Sequence, residues 1–235
     1  MSVATHNSAD VTAPLVRRPR LAVLVSGRGS NLQALLDAIS SGQLQAEIVG
    51  VFSDRPDAAA LQRVAPSLRW SDNARAYAER ADFDAKLADA VAASRPDWVV
   101  CAGYMRILGE DFIARFRGRL LNIHPSLLPK YRGLKTHARA LAAGDSEHGA
   151  SVHFVVPELD AGAVVAQVKM VVHASDTAES LATRLIAREH TLLVAVLALA
   201  TAGRLAERQD VVYCDDQPLL KPLLLDSAGR LTPSS

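Results

Sequence analysis

Leu21-Ala22-Val23-Leu24-Val25-Ser26-Gly27-Arg28-Gly29-Ser30-Asn31 is the stretch that decides the fold. A continuous aliphatic run meets a glycine-punctuated turn. A helical pattern follows, in which Leu32, Leu35, Leu36 and Ile39 recur at three- and four-residue intervals until Gly42. A strand without polar alternation is buried on both faces, which is the condition of a parallel sheet sandwiched between helices. The signature repeats downstream, with strands expected over Glu47–Phe52, Trp98–Ala102 and Arg119–Ile123. Helices are expected over Ala58–Val64, over Phe83–Ala93 (stopped by Pro96), over Asp111–Phe116 and over Thr136–Ala143. Beyond residue 150 the pattern changes. Ala150–Val156 and Val164–Val172 flank the turn Glu158-Leu159-Asp160-Ala161-Gly162 and read as an antiparallel pair. A last long helix runs from about Thr177 to Gly203, with Ser175, Asp176 and Thr177 as cap candidates and Glu179 in its first turn. The expected class is therefore α/β: a mostly parallel sheet with helices on both faces and an antiparallel addition after residue 150.

Composition agrees with a buried core and narrows the function. The chain has 235 residues, 49% of them hydrophobic and 22% charged, which excludes wholesale disorder. Its 26 Lys plus Arg against 25 Asp plus Glu give a net charge of +1, so no global field invites nucleic acid or an anionic membrane. Any anion site must be local. Cys101 and Cys214 are far apart and form no paired motif, which argues against a disulfide framework or a thiolate zinc site and for the reducing cytoplasm. The longest apolar run, Leu192–Ala202, is about half a membrane span and continues a helical pattern, so it reads as a buried helix. Residues 1–19 are polar and small, and their arginines follow rather than precede any apolar stretch. A disordered leader is expected there, not a signal peptide.

In sheets of this class ligands bind beyond the carboxyl ends of the strands, which directs attention to three loops. In the first, Gly27 and Gly29 allow a tight turn, and Gly29, Ser30 and Asn31 stand at a helix N-terminus, where free N–H groups and the helix dipole favour a phosphate. A plain strand–helix turn with a Ser cap is the alternative. Dinucleotide binding is a poor match, because Leu32 takes the place of the third glycine of the fingerprint, although Asp54 stands near the end of the second strand. No nicotinamide cofactor is expected. The second loop, Asn122-Ile123-His124-Pro125-Ser126-Leu127-Leu128-Pro129, places an amide and an imidazole on the same side of a strand end. Such a pair stabilises negative charge on a carbonyl oxygen, and the imidazole also carries a proton. In the third, Asp160 is an ordinary turn aspartate unless it faces His124, where its charge would favour the imidazolium. His153 reads as a core or supporting histidine, the remaining histidines lack zinc-ligand spacing, and no metal is expected.

Ser26-Gly27-x-Gly29-Ser30-Asn31, Met105-Arg106-Ile107-Leu108, Asn122-Ile123-His124-Pro125-Ser126-Leu127-Leu128-Pro129, and Ser151-Val152-His153 followed by Glu158-Leu159-Asp160-x-Gly162 together resemble the phosphoribosylglycinamide formyltransferases, the folate-dependent enzymes of purine synthesis. The resemblance spans about Leu21 to Gly203. It implies a Rossmann-like formyltransferase fold, with a formyltransferase domain over 20–206 and a C-terminal tail over 207–235 packed on or trailing it. It also implies the transfer of formyl from 10-formyltetrahydrofolate, as co-substrate, to the amine of glycinamide ribonucleotide. The family's catalytic triplet falls on Asn122, His124 and Asp160. Its ribonucleotide contacts fall on Gly29, Ser30, Asn31 and Glu189. Its folate contacts fall on Arg80, on Met105, Arg106, Ile107 and Leu108, on Asn122, and on Val156, Pro157, Glu158, Leu159 and Asp160, with Ser151 and His153 in support. Taken without the resemblance, Arg80 is a surface charge and Glu189 a solvated helix position. The chain departs from some relatives at Ile186, where they carry a polar residue, and at Arg132, where they carry a proline.

Related reactions remain to be weighed. A methionyl-tRNA formyltransferase shares the triplet but needs a grip on a polyanion, and the short, weakly basic segment after Gly203 does not supply one. A formyltetrahydrofolate hydrolase normally carries an N-terminal regulatory domain, which nineteen polar residues cannot form. A non-catalytic nucleotide-binding module would not require Asn122, His124 and Asp160. The expected partners are small molecules, without nucleic acid or membrane, and the expected assembly is a monomer or homodimer.

Overall fold

Side-chain alternation along β1 (Arg20–Val25) divides the core in two: Leu21, Val23 and Val25 enter one apolar cluster and Ala22 and Leu24 the other, all fully buried. The computed structural model describes residues 17–234. The other strands of the main sheet are β2 (Glu47–Ser53), β3 (Arg69–Ser71), β4 (Trp98–Cys101), β5 (Leu120–His124), β6 (Glu147–Phe154), β7 (Val164–Val171), β11 (Leu223–Leu225) and β12 (Leu231–Thr232). They lie in the order β12-β11-β7-β6-β5-β4-β1-β2-β3. From β3 through β5 every pairing is parallel. β6 then pairs antiparallel with β5 and with β7. The fold is thus the expected α/β class with its antiparallel addition.

Helices seal both faces. α1 (Ser30–Ser40) and α5 (Ala178–Thr201) bring Leu32, Leu35, Leu192 and Leu197 against the first cluster, while α2 (Arg80–Ala93) and α3 (Glu110–Arg115) bring Phe83, Leu87 and Phe112 against the second. Each such side chain contributes about 1.5–3 kcal/mol of burial. α5 begins where the cap candidates suggest. The Thr177 hydroxyl accepts from the Ser180 N–H at 3.1 Å, and the Ser180 hydroxyl accepts from the Thr177 N–H at 2.9 Å.

Several elements differ from expectation. The helix expected over Ala58–Val64 is a single 3-10 stretch, Ala59–Arg63, and the three-residue edge strand β3 has too little pattern to read. The antiparallel pair starts at Glu147 rather than Ala150. Residues 1–16 of the expected leader lie outside the described residues. The last three of that leader are held in place: Arg17 pairs with Asp97 at 2.7 Å, and the Pro19 carbonyl accepts from the Glu47 N–H at 2.9 Å. The C-terminal segment folds. β8 (Leu205–Arg208), β9 (Val211–Cys214) and β10 (Gln217–Pro218) form a three-stranded sheet, and β11 joins the main sheet beside β7. Leu205, Val212, Leu223 and Leu225 are buried in the first cluster.

Candidate active site

β5 ends between a parallel and an antiparallel neighbour, and that junction builds the site. Asn122 stands opposite Cys101 of β4 on one side and His153 of β6 on the other, while His124 stands opposite Ser151. α4 (Thr136–Ala142) follows the loop that leaves β5. A cavity of about 510 Å³ opens over this strand end. Asn122, His124 and Asp160 form its polar floor, and Met105, Ile107, Leu108, Leu134, Val156 and Leu159 supply apolar wall.

Asp160 ties the floor together. It has a positive φ of 48°, the left-handed conformation that aspartate tolerates, and this turns its carboxylate inward. Oδ2 lies 3.3 Å from His124 Nδ1 and accepts from the Gly133 N–H at 2.9 Å. Oδ1 lies 3.5 Å from His153 Nε2 and 3.4 Å from Asn122 Nδ2. Burial alone would raise the pKa of this carboxyl. The Gly133 N–H and the neighbouring His124 imidazole are among the influences that outweigh burial and hold it below the ordinary value.

The tautomer of His153 follows from its neighbours. Its Nδ1 is 2.8 Å from the Phe154 carbonyl, which can only accept, so Nδ1 carries the hydrogen. With that hydrogen on Nδ1, Nε2 accepts from Asn122 Nδ2 at 3.0 Å, which fixes which way the Asn122 amide faces. His124 is placed differently. Nε2 lies 3.0 Å from the Tyr131 carbonyl and Nδ1 faces Asp160, so both neighbours are acceptors and only an imidazolium satisfies both. Burial is the largest influence and leaves its pKa below the ordinary value, with Tyr131 and Asp160 offsetting only part of the fall. The charged ring those two acceptors call for is therefore disfavoured until a substrate oxygen is bound.

The other anticipated residues fall into three groups. Val156, Pro157 and Leu159 line the cavity with Met105, Arg106, Ile107 and Leu108. Arg80, at the start of α2, does not line it: its guanidinium donates to the Ile107 carbonyl and pairs with Asp84 at 3.4 Å, bracing the 105–108 loop from behind. Glu158 also turns away, pairing with Arg132 at 2.6 Å. Ser151 is fully buried beneath the 125–129 loop, donating to the Ser126 carbonyl at 2.7 Å and accepting from the Leu128 N–H at 3.1 Å. Gly29, Ser30, Asn31 and Glu189 lie outside the cavity, beyond β1. The two loops are joined through Ser26, whose N–H donates to the Gly103 carbonyl at 3.1 Å and whose hydroxyl accepts from the Met105 N–H at 2.9 Å. Glu189, on α5, is half-buried beside Asn31, and the desolvation of its carboxyl raises its pKa to about 7.

Some residues of the site escaped the sequence reading. His137 lines the cavity, and its Nδ1 lies 2.9 Å from Nε2 of the buried His148. No spacing rule pairs a residue of α4 with one of β6. Cys101 also lines the cavity, but burial pushes its thiol up to about 12, so it is no nucleophile. Among the described residues, no group of three or more His, Cys, Asp or Glu is placed to hold a metal ion, and no helix is long and apolar enough to cross a membrane.

Residues 19–197 match the formyl transferase family model. The chain is 43% identical to phosphoribosylglycinamide formyltransferase of Escherichia coli over 201 residues, covering 85% of this chain and 95% of that protein. The chain belongs to the phosphoribosylglycinamide formyltransferase family. The Haemophilus influenzae member is 40% identical, with 86% and 96% of the two chains covered. The solved structure of the Coxiella burnetii member superposes with a TM-score of 0.82 at 43% identity, covering 86% of this chain and 96% of that one. Membership brings the fold and the enzyme class.

Proposed function

We propose that this enzyme transfers the formyl group of 10-formyltetrahydrofolate to the primary amine of glycinamide ribonucleotide in purine biosynthesis. The observation that carries the reading is the convergence of Asn122, His124 and Asp160 at the floor of an apolar cavity, within a chain that matches glycinamide ribonucleotide transferases over nearly their full length. The cavity suits a fused heterocycle: its walls are aliphatic, and the backbone of the 105–108 and 156–160 segments offers hydrogen-bonding edges. The glycine loop, with Asn31 and Glu189 beside it, takes the phosphate and sugar of the acceptor.

The acceptor amine forms a bond to the formyl carbon, the bond from that carbon to the folate nitrogen breaks, and the amine's proton ends on that nitrogen. The residues of this chain stabilise charge and move the proton. Asn122 and His124 donate to the oxygen of the tetrahedral intermediate, and each donor lost costs about a hundredfold in rate. His124 reaches that oxygen by releasing the Tyr131 carbonyl from Nε2, while Asp160 keeps hold of Nδ1 and favours the charged ring. Held low by its hydrogen bonds, Asp160 is a carboxylate at neutral pH and accepts the amine's proton through water. No covalent enzyme intermediate is needed.

The test offers purified protein 10-formyltetrahydrofolate with glycinamide ribonucleotide, with methionyl-tRNA, or with buffer alone, and follows the formyl group by mass spectrometry. Formyl on the ribonucleotide alone is expected. Formate released without acceptor, or formyl on the tRNA, would replace this reading with a hydrolase or the tRNA transferase.

A further inference from the structure

The phosphate-facing loop is held from behind by a residue that the catalytic reading does not use. Three successive carbonyls of the loop each accept a hydrogen bond: Gly27 from the Ala60 N–H at 3.0 Å, Arg28 from Arg63 Nε at 2.9 Å, and Gly29 from the Gln33 N–H at 2.9 Å. In a trans peptide the N–H points opposite to the carbonyl of the preceding residue. Pinning these carbonyls therefore turns the N–H groups of Arg28, Gly29 and Ser30 the other way, and among the described residues none of the three donates to the protein. Two of these constraints are backbone bonds. The central one belongs to a side chain. Arg63 closes the 3-10 stretch Ala59–Arg63, and its Nη1 also donates to the Gln33 side chain at 2.8 Å, so one guanidinium clamps the loop to the first turn of α1. A second feature points to a ligand here: Asn31 is 9% exposed, and its amide oxygen is buried with no partner, an acceptor that calls for a hydroxyl of the acceptor's sugar beside the phosphate.

We infer that Arg63 is a positioning residue for the acceptor's phosphate, orienting the Gly29 N–H toward the anion through the Arg28 carbonyl. The inference rests on the ribonucleotide reading of the loop. Arg63 also places a cation behind the donors, which adds to the pull of the helix N-terminus on a phosphate. Its two bonded nitrogens are committed to the protein, so it acts through the loop's backbone rather than by gripping the substrate.

The experiment compares kcat and KM of the wild-type enzyme, Arg63→Met and Arg63→Lys with glycinamide ribonucleotide and with the riboside lacking the 5′-phosphate. Loss of a charge-assisted bond predicts that Arg63→Met raises the KM for the ribonucleotide roughly tenfold to a hundredfold, with kcat and the KM for 10-formyltetrahydrofolate unchanged. The riboside should react equally with all three enzymes. Lysine, which still reaches the Arg28 carbonyl with a positive charge, should recover most of the loss. An equal loss on both acceptors, or none on either, overturns the inference. If the wild-type enzyme itself does not prefer the phosphorylated acceptor, the phosphate reading of the loop fails. If it does and Arg63→Met prefers it as strongly, only the role of Arg63 fails. Should Arg63→Met melt below the assay temperature, Arg63→Gln makes the same comparison.

Discussion

Replacing Glu189 by glutamine should stabilise the protein in a pH-dependent way while weakening acceptor binding. Burial raises the Glu189 pKa from 4.5 to about 7, with the Asn31 side chain pulling it partly back. A carboxyl whose pKa is higher in the fold than in the unfolded chain is destabilising where it must ionise. The penalty is absent below pH 4.5, grows as pH rises, and is complete above pH 7. The shift corresponds to about 3 kcal/mol at 1.36 kcal/mol per unit. Glutamine keeps the oxygen facing Asn31 but adds a buried NH2 group whose desolvation costs about 1–2 kcal/mol at every pH. The stability difference between Glu189→Gln and wild type should therefore swing toward the variant by about 3 kcal/mol between pH 4.5 and pH 8, whatever its absolute offset. Urea unfolding followed by circular dichroism at those two pH values measures it. Parallel pH dependences for the two proteins would refute the argument, because they would mean that Glu189 titrates alike in folded and unfolded chains. The functional counterpart is that wild-type KM for the ribonucleotide rises as pH falls below 7, while the variant has a high, flat KM.

His124→Ala should lower kcat about a hundredfold or more while ribonucleotide affinity, read by calorimetry, stays within a few-fold, since the ring serves the transition state. Lost affinity with normal kcat would reverse that assignment. Gly29→Ala forces an alanine to a φ of +76° with its Cβ 2.6 Å from that of Ala60, so melting should show a loss of about 1–3 kcal/mol, with a raised acceptor KM. His148, buried and bonded to His137, has its pKa pulled down to about 4, first by burial and then by that neighbour. A depressed base stabilises the fold fully above its unfolded pKa, so stability should fall as pH drops from 6.5 toward about 4. Denaturant unfolding across that window should show a shallower decline for His148→Gln than for wild type.

Legibility in the sequence followed the reach of local physics. β1, its glycine turn and α1 are readable because an aliphatic run and a helical period sit side by side, and Leu21, Val23, Val25, Leu32, Leu35 and Ala38 all obey them in one cluster. The adjacency of Asn122 and His124 is readable because a strand repeats every two residues. β3, β10, β11 and β12 span two or three residues each, too few for any period, and are held by pairing with distant strands. The role of His153 was only half legible. Its place on a strand is a local matter, but its meeting with Asn122 depends on the β5–β6 register. Arg63 and the His137–His148 pair are contacts between elements, and the chain carries no local sign of them.

The change of strand direction at β5 explains why the chemistry gathers there. With parallel neighbours on both sides, the loops at its end would all lead into helices and carry a binding rim without a floor. An antiparallel β6 instead runs back across the end of β5 and delivers His153 level with Asn122, and its continuation into the 155–163 turn swings Asp160 over both. The turn holds there because Asp160 adopts a left-handed backbone and because Gly162 is hemmed in, with an added Cβ falling 1.9 Å from the Phe154 carbonyl. Three side chains from two strands and one turn thereby meet without a loop long enough to wander. The energy that orients them was spent in folding the sheet, so little reorganisation is left to the reaction itself.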